Sequence, residues 1–309
     1  MTVTVREPRP DRPADLEAFA RVRDAAVPFL VRTPASLAHD LAHAHPAAHH
    51  RLLLAELDGH PVGTADLGLV HDSTEPGQAY LHLYVDPGHP GHGAGSLLAR
   101  TAEQRLHALG ATRVHSWVLD TPANRAFAEH RGYRASRSAH FLRLDLAHGT
   151  LPPAPPVPPG VTLRTAADFT ADPRPLFTLD AETSADEPGD VPQELTDYEA
   201  WLAQTWQHPL LDRELSSVAV VDGRPAAFSA AHTDGNGRYV TAMTGTARSQ
   251  RGRGLAKFTK YASLSRAHAA GIQQAFTGND TGNAPMLAVN KWLGYEICAT
   301  EVRYVRELG

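Results

Sequence analysis

The pattern of apolar and polar residues along this chain of 309 residues is written twice. Each copy opens with a short strand pattern, at Thr2–Arg6 and at Val161–Arg164, followed by apolar residues at helical spacing. The clearest helical segments are Ala14–Asp24 in the first copy and Thr196–Trp206 in the second. Strand and helix patterns that alternate in this way predict a mixed α/β unit in each half of the chain.

A β-hairpin is predicted after these helices in both copies. Asp58-Gly59 and Asp222-Gly223 each separate two apolar runs, and Asp-Gly favours this turn because both of its positions need positive φ. Each copy then continues with a strand, a glycine-rich turn, a long helix, a strand, a short helix and a last strand. The main predicted ranges are Tyr80–Val85, Ala94–Leu109 and Arg113–Leu119, and in the second copy Tyr239–Thr246, Leu255–Ala270 and Gln273–Thr277.

The two halves form an internal repeat, because short motifs recur in the same order. The offset is 158 residues from Val3 to Val161 and 164 residues from Asp58 to Asp222. The motifs around Gly91 and Gly252, and around Gly132 and Gly294, recur at offsets between these values.

A proline-rich segment separates the copies. Six prolines fall within Pro152–Pro159, which excludes a helix or a central strand and predicts an extended polyproline II spacer. We therefore expect an N-terminal domain at residues 1–147, a linker at residues 148–160 and a C-terminal domain at residues 161–309. The alternative is a long loop inside one domain, which the repeat on either side disfavours.

Composition excludes several classes of protein. The formal net charge of −5 disfavours a nucleic-acid partner. The sequence has no run of 18 apolar residues, so no membrane span is expected. Met1–Pro10 has no apolar core, so no signal peptide is expected. Cys298 is the only cysteine, which indicates a reducing compartment and, by default, the cytoplasm.

The glycine-rich turn of the second copy, Arg251–Ala256, is the strongest chemical signal. It lies between a strand and a helix, where unpaired N–H groups and the helix dipole form an anion site. Arg251 and Arg253 add charge-assisted hydrogen bonds. The spacing matches neither a P-loop nor a dinucleotide fingerprint. The alternative is a turn that only permits tight packing of the strand against the helix.

Arg251-x-x-Gly254-x-Ala256 resembles the Q/R-x-x-G-x-G/A signature of the GNAT superfamily of N-acetyltransferases. The sequence after it, with Thr277–Met286, Asn290 and Leu293-Gly294-Tyr295, is similar to the end of such domains in tandem acetyltransferases of actinobacterial type. The first copy carries the corresponding residues Asn124, Phe127 and Arg131-Gly132-Tyr133, so the resemblance covers nearly the whole chain as two units.

The resemblance implies acetyl-CoA as the cofactor. It also implies a mixed sheet in each copy, whose fourth and fifth strands splay apart to hold the pantetheine arm. In the second copy, the implied contacts are the strand residues Thr244, Gly245 and Thr246, the pyrophosphate loop of Arg251, Gly252, Arg253, Gly254, Leu255 and Ala256, and Asn283 on the cofactor arm. In the first copy, they are Val85, Gly91, His92, Gly93, Ala94, Gly95 and Ser96.

The sequence departs from the family pattern at two places. Pro90 occupies the Q/R position of the first copy, so chemistry is expected in the second copy. The position of the tyrosine that often protonates the leaving thiolate holds Ala128 in one copy and Asn290 in the other. Tyr239, Tyr295 and Tyr304 are expected to pack, and no catalytic residue is assigned.

An acidic segment is the candidate acceptor site. Asp186, Glu187 and Asp190, beside Asp180 and Glu182, attract a cationic amine, and the alternative is a solvated acidic loop. His39 and His43 have the spacing of helical metal ligands, but no HExxH motif is present and a solvated histidine face is the better interpretation.

Two functions therefore compete. The first is an N-acetyltransferase that transfers an acetyl group from acetyl-CoA to a primary amine of a small molecule or peptide, by direct attack in a ternary complex. The second is an acyl-CoA-binding sensor or partner module built from degenerate copies. We expect a monomer or a homodimer.

Overall fold

The computed structural model describes residues 1–9, 11–187, 189, 191 and 194–309. These residues divide into two compact units. Unit 1 comprises Met1–Ala139 together with Ala299–Gly309, and unit 2 comprises His140–Cys298. Within the described residues, no helix has the length and apolarity needed to cross a bilayer.

Unit 1 is a mixed sheet with helices on both faces. Its strands lie in the order β1-β2-β3-β4-β5-β12, and residues 299–307 of β12 pair antiparallel with β5 from Glu301 onward. The elements are β1 (Val3–Arg6), α1 (Pro13–Ala26), α2 (Pro34–His43), β2 (Arg51–Leu57), β3 (His60–Leu69), β4 (Gln78–Val85), α3 (Ala94–Ala108), β5 (Arg113–Leu119), α4 (Pro122–Glu129), the beginning of β6 (Arg134–Asp145) and most of β12 (Glu296–Glu307).

The central strands of unit 1 diverge. β4 and β5 are parallel and pair only from Gln78–Tyr80 with Arg113–His115, so their carboxyl ends separate. The α3 face is apolar and includes Leu98, Leu106 and Val114. On the other face, α1 and α2 pack on Leu52 and Leu54. This divergence leaves room between the strands, as the resemblance implied.

Unit 2 repeats the arrangement. Its strands lie in the order β7-β8-β9-β10-β11-β6, where β6 contributes His140–Asp145. The elements are β7 (Val161–Thr165), α5 (Arg174–Ser184), α6 (Tyr198–Trp201) with a π-helical turn at Leu202–Trp206, β8 (Leu211–Val221), β9 (Arg224–Thr233), β10 (Arg238–Thr246), α7 (Leu255–Ala269), β11 (Gln274–Asp280) and α8 (Ala284–Leu293).

The two faces of unit 2 differ in composition. β10 and β11 pair as far as Thr241 and Thr277 and then diverge, and β10 carries a bulge between Thr241 and Met243. The face toward α5 is filled by an aromatic core that includes Trp201 and Trp206. In unit 1 the corresponding face carries buried charges, which are described below.

Both predicted hairpin turns are confirmed. Asp58 and Gly59 have φ of 47° and 82°, and Asp222 and Gly223 have φ of 48° and 76°. Positive φ at both central positions twists the turn in the sense of the flanking strands.

The compact units do not coincide with the division expected at residues 148–160. Ala299–Gly309 lies in unit 1, where Val302 and Tyr304 join the apolar core. His140–Ala147 lies in unit 2, where Leu142 and Leu144 are buried. The physical reason is that alternating apolar residues specify a strand and its buried face, but not the sheet edge that the strand joins.

Candidate active site

The glycine loops of the two units have the same backbone conformation. Gly91 and Gly93 have φ of 79° and 85°, and Gly252 and Gly254 have φ of 77° and 75°. Gly93 and Gly254 each cap the following long helix in the left-handed conformation. The first N–H groups of that helix have no intrahelical acceptor, so both loops present anion-binding donors. Pro90 therefore does not change the shape of the first loop.

A cavity of about 590 Å³ lies directly against the loop of unit 1. It extends from the loop into the gap between β4 and β5 and reaches the end of α1. Its lining includes Gly91, His92, Gly93, Ala94, Gly95 and Ser96 of the loop, Leu81, Leu83, Tyr84 and Val85 of β4, Ser116, Trp117, Val118 and Leu119 of β5, Asn124, Phe127 and Ala128 of α4, and Ala26 and Val27. The residues predicted for the first copy thus line one cavity.

Arg131 supplies a cation beside this loop, although Pro90 removes the expected one. Its guanidinium lies 4.6 Å from the ring centroid of Phe127, and its Nη2 donates to the carbonyl of Ser96 at 3.4 Å. The side chain lines the cavity. The sequence identified Arg131 only as part of an Arg-Gly-Tyr motif. It did not indicate that the positive charge of Arg131 takes the place of the charge missing at Pro90.

The loop arginines of unit 2 are engaged by an acidic residue. Arg248 donates two hydrogen bonds to Asp186, at 2.9 and 2.8 Å, and Arg251 donates another to the same carboxylate. These hydrogen bonds, from Arg248 first and then Arg251, hold the pKa of Asp186 well below its usual range. Arg253 instead donates to the carbonyl of Pro159 at 2.7 Å. The structure thus places Asp186 at the predicted pyrophosphate loop.

The other predicted acceptor residues are less informative. Glu187 is exposed, and Asp190 lies outside the described residues. Glu182 accepts a hydrogen bond from the N–H of Arg248 at 2.6 Å, and so also joins the loop. Asp180 accepts from Trp201 Nε1 at 2.8 Å, where it anchors α5 to α6.

The predicted cofactor contacts on β10 and α8 have structural partners. A Cβ at Gly245 would lie 2.4 Å from Thr183 Oγ1, so this glycine permits the close approach of α5. Thr244 lies 3.4 Å from Ser229 between hydroxyl oxygens, and Thr246 ends the strand. Asn283 caps α8, because its Oδ1 accepts from the N–H of Met286 at 3.3 Å.

A buried cluster of charges covers the α1–α2 face of unit 1. Asp66 on β3 accepts from His50 Nε2 at 3.0 Å, and its other oxygen lies 3.6 Å from Arg23 Nη1. Burial opposes ionisation of Asp66, but the hydrogen bond and charge of His50 and the charge of Arg23 outweigh it, and the pKa of Asp66 falls well below its usual range. His82 is buried beside them, which lowers its pKa to about 4.

Glu301 is the acid–base candidate that sequence analysis missed. Its side chain is 2 % exposed, and burial raises its pKa to about 7 against the opposing charges of Arg23 and Arg303 and a hydrogen bond from Tyr84. Tyr84 also lines the cavity. Glu301 lies on β12, within the second copy of the repeat, and no spacing connects it with the first copy. Glu301 is recognised as an acid–base candidate of unit 1 only because β12 belongs to that unit in the structure.

Unit 2 carries a buried lysine at the point where β10 and β11 diverge. Lys260 on α7 donates to Thr277 Oγ1 at 3.0 Å, and burial lowers its pKa to about 7. The corresponding helix position of unit 1 is Ala99, counted from Gly93 and Gly254, and Ala99 lines the cavity. Nearby, the amide of Asn290 donates to Asn279.

The three tyrosines considered as candidate acids are buried. Tyr239 hydrogen-bonds to Ser263 at 2.7 Å, and Tyr304 donates to Glu129 at 2.9 Å. Tyr295 packs in the core of unit 2. The structure places none of the three in the described cavity.

The histidines of α2 pack on each other. The rings of His39 and His43 are stacked with centroids 4.0 Å apart, and His43 Nδ1 lies 2.9 Å from the carbonyl oxygen of His39. In the part of the chain that the structure describes, no group of three potential ligands among His, Cys, Asp and Glu could hold a metal ion.

Known proteins share this fold. Residues 19–133 match the model of the acetyltransferase (GNAT) family. A tandem GNAT protein from the clavulanic acid biosynthesis pathway superimposes with a TM-score of 0.75 at 21% identity, over 100% of this chain and 99% of that one. Residues 19–133 therefore contain a domain of the GNAT acetyltransferase family, and the chain as a whole has the fold of that tandem GNAT protein.

Curated relatives that are similar to this chain are named mycothiol acetyltransferases. A mycothiol acetyltransferase of Salinispora arenicola is 35% identical over 184 residues, which are 58% of this chain and 55% of that protein. The chain thus spans about half the length of that relative. A mycothiol acetyltransferase of Thermobispora bispora is 27% identical over 318 residues, which cover 98% of this chain and 100% of that protein.

Proposed function

We propose that the protein is an acetyl-CoA-dependent N-acetyltransferase that acts on a primary amine. The observation that carries this proposal is the cavity of unit 1, which lies against the anion-binding loop and is lined by Tyr84 of the face that carries the buried charges. The name of the curated relatives supports acetyl as the acyl group. Residues 1–147 and 161–309 then correspond to two GNAT domains that exchange their last strands.

The residues present fit acetyl-CoA. The first N–H groups of α3 and the guanidinium of Arg131 provide donors for phosphate oxygens. Gly95 lies in the first turn of α3, where even a Cβ would only touch Val85 and Phe127 at ordinary distances. The apolar side chains of Leu81 and Leu83 line the gap between the diverging strands, where an extended arm fits. Bound acetyl-CoA supplies the activated acyl group as a thioester.

The chain contributes positioning and proton transfer. The loop and the strand gap hold the donor while the α1–α2 face holds the acceptor, so a bimolecular step becomes intramolecular. A free alkylamine is protonated at pH 7, and the carboxylate of Glu301 accepts that proton because its pKa lies near 7. The neutral amine then attacks the acyl carbon directly, and the carbon–sulfur bond breaks. The thiolate is a good leaving group with a pKa of about 8.5, so little acid assistance is needed.

We place the chemistry in unit 1. The sequence favoured the second copy because of Arg251, but that arginine and Arg248 both form ion pairs with Asp186. A pyrophosphate at that loop competes with a carboxylate, whereas Arg131 of unit 1 makes no ion pair in the described part of the chain. The acidic triad Asp186, Glu187 and Asp190 remains a proposed acceptor site for unit 2, and the following experiment separates the two locations.

The test uses a matched pair of variants at equivalent helix positions. Gly95→Asp and Ala256→Asp each place a carboxylate at the second residue of the long helix, in unit 1 and in unit 2. An acidic residue in the first turn favours the helix itself, so both variants are expected to fold. Acetyl-CoA binding is measured by calorimetry, and release of CoA thiol is measured with a panel of primary amines.

We expect Gly95→Asp to abolish acetyl transfer and one binding site, and Ala256→Asp to retain transfer. The reverse result places the chemistry in unit 2. Binding of acetyl-CoA without transfer to any amine supports an acyl-CoA sensor instead, and the absence of binding at millimolar acetyl-CoA overturns the proposed function.

A further inference from the structure

We propose that the acceptor is a small amino carboxylate, a molecule with a primary amine and a carboxylate, held between Arg23 and Glu301 on the α1–α2 face of unit 1. This inference rests on the proposed function and names the class of acceptor for the same site. Neither residue is assigned by the similarity to other acetyltransferases.

Arg23 is a buried cation with unused hydrogen-bonding capacity. It is 6 % exposed, and its Nε and Nη1 have no hydrogen-bond partner among the described residues. Asp66 lies 3.6 Å away, beyond hydrogen-bond distance, and is already bonded to His50. The N–H groups of a guanidinium lie in one plane and point in different directions, and each of them donates well to a carboxylate oxygen. An anionic group of a ligand accepts hydrogen bonds from these unpaired donors.

The charges around Arg23 suit a ligand that carries both a negative and a positive group. The hydrogen bond and the negative charge of Asp66 raise the pKa of His50 against its burial, so this contact favours the protonated form of His50. Burial keeps His82 neutral at pH 7, because it lowers the pKa of that imidazole to about 4. Asp66, Glu301 and Arg303 also act on this face, and a ligand with one ammonium and one carboxylate adds no net charge to it.

Glu301 provides the complementary group for the amine. Its Oε1 has no hydrogen-bond partner in the part of the chain that the structure describes. The guanidinium of Arg23 lies 5.2 Å from the ring centroid of Tyr84, and both Arg23 and Tyr84 lower the pKa of Glu301 against its burial. Arg23 and Glu301 therefore lie around the same tyrosine, where one small amino carboxylate can reach both of them.

Further unpaired polar atoms share this face. Thr64 Oγ1 and His82 Nδ1 are buried and have no hydrogen-bond partner among the described residues. Thr64 is the cross-strand neighbour of Tyr84, and Asp66 is the neighbour of His82, so they flank the same ring. Buried polar atoms are rarely left unpaired, and several of them on one face indicate a polar ligand. Tyr84, Ala26 and Val27 connect this face with the donor cavity.

The chemistry balances without further reagents. The ammonium of the acceptor loses one proton to Glu301, and its nitrogen forms a bond to the acyl carbon. The carbon–sulfur bond of the thioester breaks, and CoA leaves as the thiolate. The nitrogen then loses its second proton, which the thiolate takes up, and Glu301 returns its proton to solvent. The carboxylate of the acceptor remains bound to Arg23 unchanged.

The experiment compares amino acids with their carboxamides, which retain the amine and lose the negative charge. The probes are glycine, L-alanine, L-leucine, L-methionine, L-glutamate, β-alanine and γ-aminobutyrate, each beside its carboxamide. We expect at least one acid to exceed its carboxamide in kcat/KM by tenfold to a hundredfold, as about 1.5–3 kcal/mol for a charged hydrogen bond implies. Arg23→Gln should abolish this preference by raising the KM of the acid far more than that of the carboxamide, because any effect through the pKa of Glu301 is common to both substrates.

Two further variants keep the test decisive. Arg21→Gln is the matched control, because Arg21 lies on the same helix but is exposed, and it should retain the preference for the acid. Arg23→Lys keeps the charge beside Asp66, and should fold and lose part of the preference even if Arg23→Gln does not fold.

The outcomes distinguish the two proposals. Acetylation of carboxamides as fast as of the acids, or an equal effect of Arg23→Gln on both, overturns this inference and leaves the proposed function standing. The absence of acetyl-CoA binding or of any acetyl transfer overturns the proposed function and this inference together.

Discussion

Each unit buries an ionisable residue of a different chemical type, and the sequence positions of these two residues do not reveal their burial. Unit 1 holds a carboxyl group, Glu301, and unit 2 holds an amine, Lys260, each nearly inaccessible to solvent. Burial alone penalises the charged form, and it raises the pKa of the first group and lowers that of the second to the same value of about 7. Both groups therefore titrate near physiological pH, and each makes a prediction.

Glu301→Gln removes the proposed base and keeps its shape. In the native protein, kcat/KM should fall as the pH falls below about 7, because Glu301 becomes protonated among Arg23, Arg303 and Tyr84. We expect the variant to lose this acidic limb and to lose activity by about 10²–10⁴-fold at pH 8, with unchanged affinity for acetyl-CoA. Glu296→Gln, an exposed residue of the same strand, is the control. Retention of the acidic limb in Glu301→Gln would contradict the assignment.

Lys260→Met tests the cost of the buried amine. The pKa of Lys260 is lower in the folded chain than in the unfolded one, so between about pH 7 and 10.5 only the unfolded chain binds this proton. The free energy of unfolding therefore rises with pH across that window. The variant should remove this rise and be more stable at pH 7 by on the order of 2 kcal/mol. Urea unfolding from pH 6.5 to 9.5 measures both effects, with exposed Lys291→Met as the control. Equal pH slopes for Lys260→Met and the native chain contradict the interpretation.

At the scale of elements, β12 is the strand on which unit 1 depends. Its residues pair with β5 from Glu301–Leu119 to Glu307–Arg113 and bury Val302 and Tyr304. The loss of a buried aromatic residue alone costs about 3–5 kcal/mol, a large share of the stability of a domain. The whole strand is therefore expected to be essential.

A chain that ends at Cys298 tests this dependence. All residues of unit 2 remain in it, whereas unit 1 loses its sixth strand and Glu301. We expect hydrogen exchange to show that β4 and β5 lose protection while β9 and β10 keep it. Ile297→Ala, a change at an exposed position of the same strand, should leave both sets protected. Full protection of β5 in the shortened chain would show that β12 is dispensable.

Most elements were predicted from local signals, and the exceptions have physical causes. The strand Arg113–Leu119 and the Asp-Gly turns are confirmed, because side-chain alternation and turn chemistry act over a few residues. The helix expected at Thr196–Trp206 begins at Tyr198 and ends in a π-helical turn, where Trp201 and Trp206 stack in the core. Tertiary packing of the two indoles, not helix propensity, sets that geometry.

The candidate site was harder to predict than the elements. The loop residues Gly91–Ser96 follow from a motif that needs unpaired N–H groups at a helix start. Arg23 and Glu301 have no such signal, because a single sequence does not distinguish a charged residue that will be buried from one that will be exposed. Their significance comes from burial and from contacts with Tyr84, which arise only after the chain folds.

At the scale of the whole molecule, the internal repeat predicts two similar units, but it does not predict which unit the last strand of each half joins. The sequence predicts two domains on either side of Pro152–Gly160, and each half does contain most of the strands and helices of one unit. Each compact unit nevertheless contains residues from both halves, since unit 1 includes Ala299–Gly309 and unit 2 includes His140–Ala147. Local periodicity carries no information on that exchange.

The exchange of last strands has a consequence for the inheritance of this gene. A deletion or recombination that removes either half leaves the remaining sheet without its closing strand, so neither duplicate is free to be discarded. Selection for folding then preserves a copy even after its own chemistry has been lost. A residue such as Asp186, which pairs with the loop arginines of unit 2, then persists in a half that folding retains.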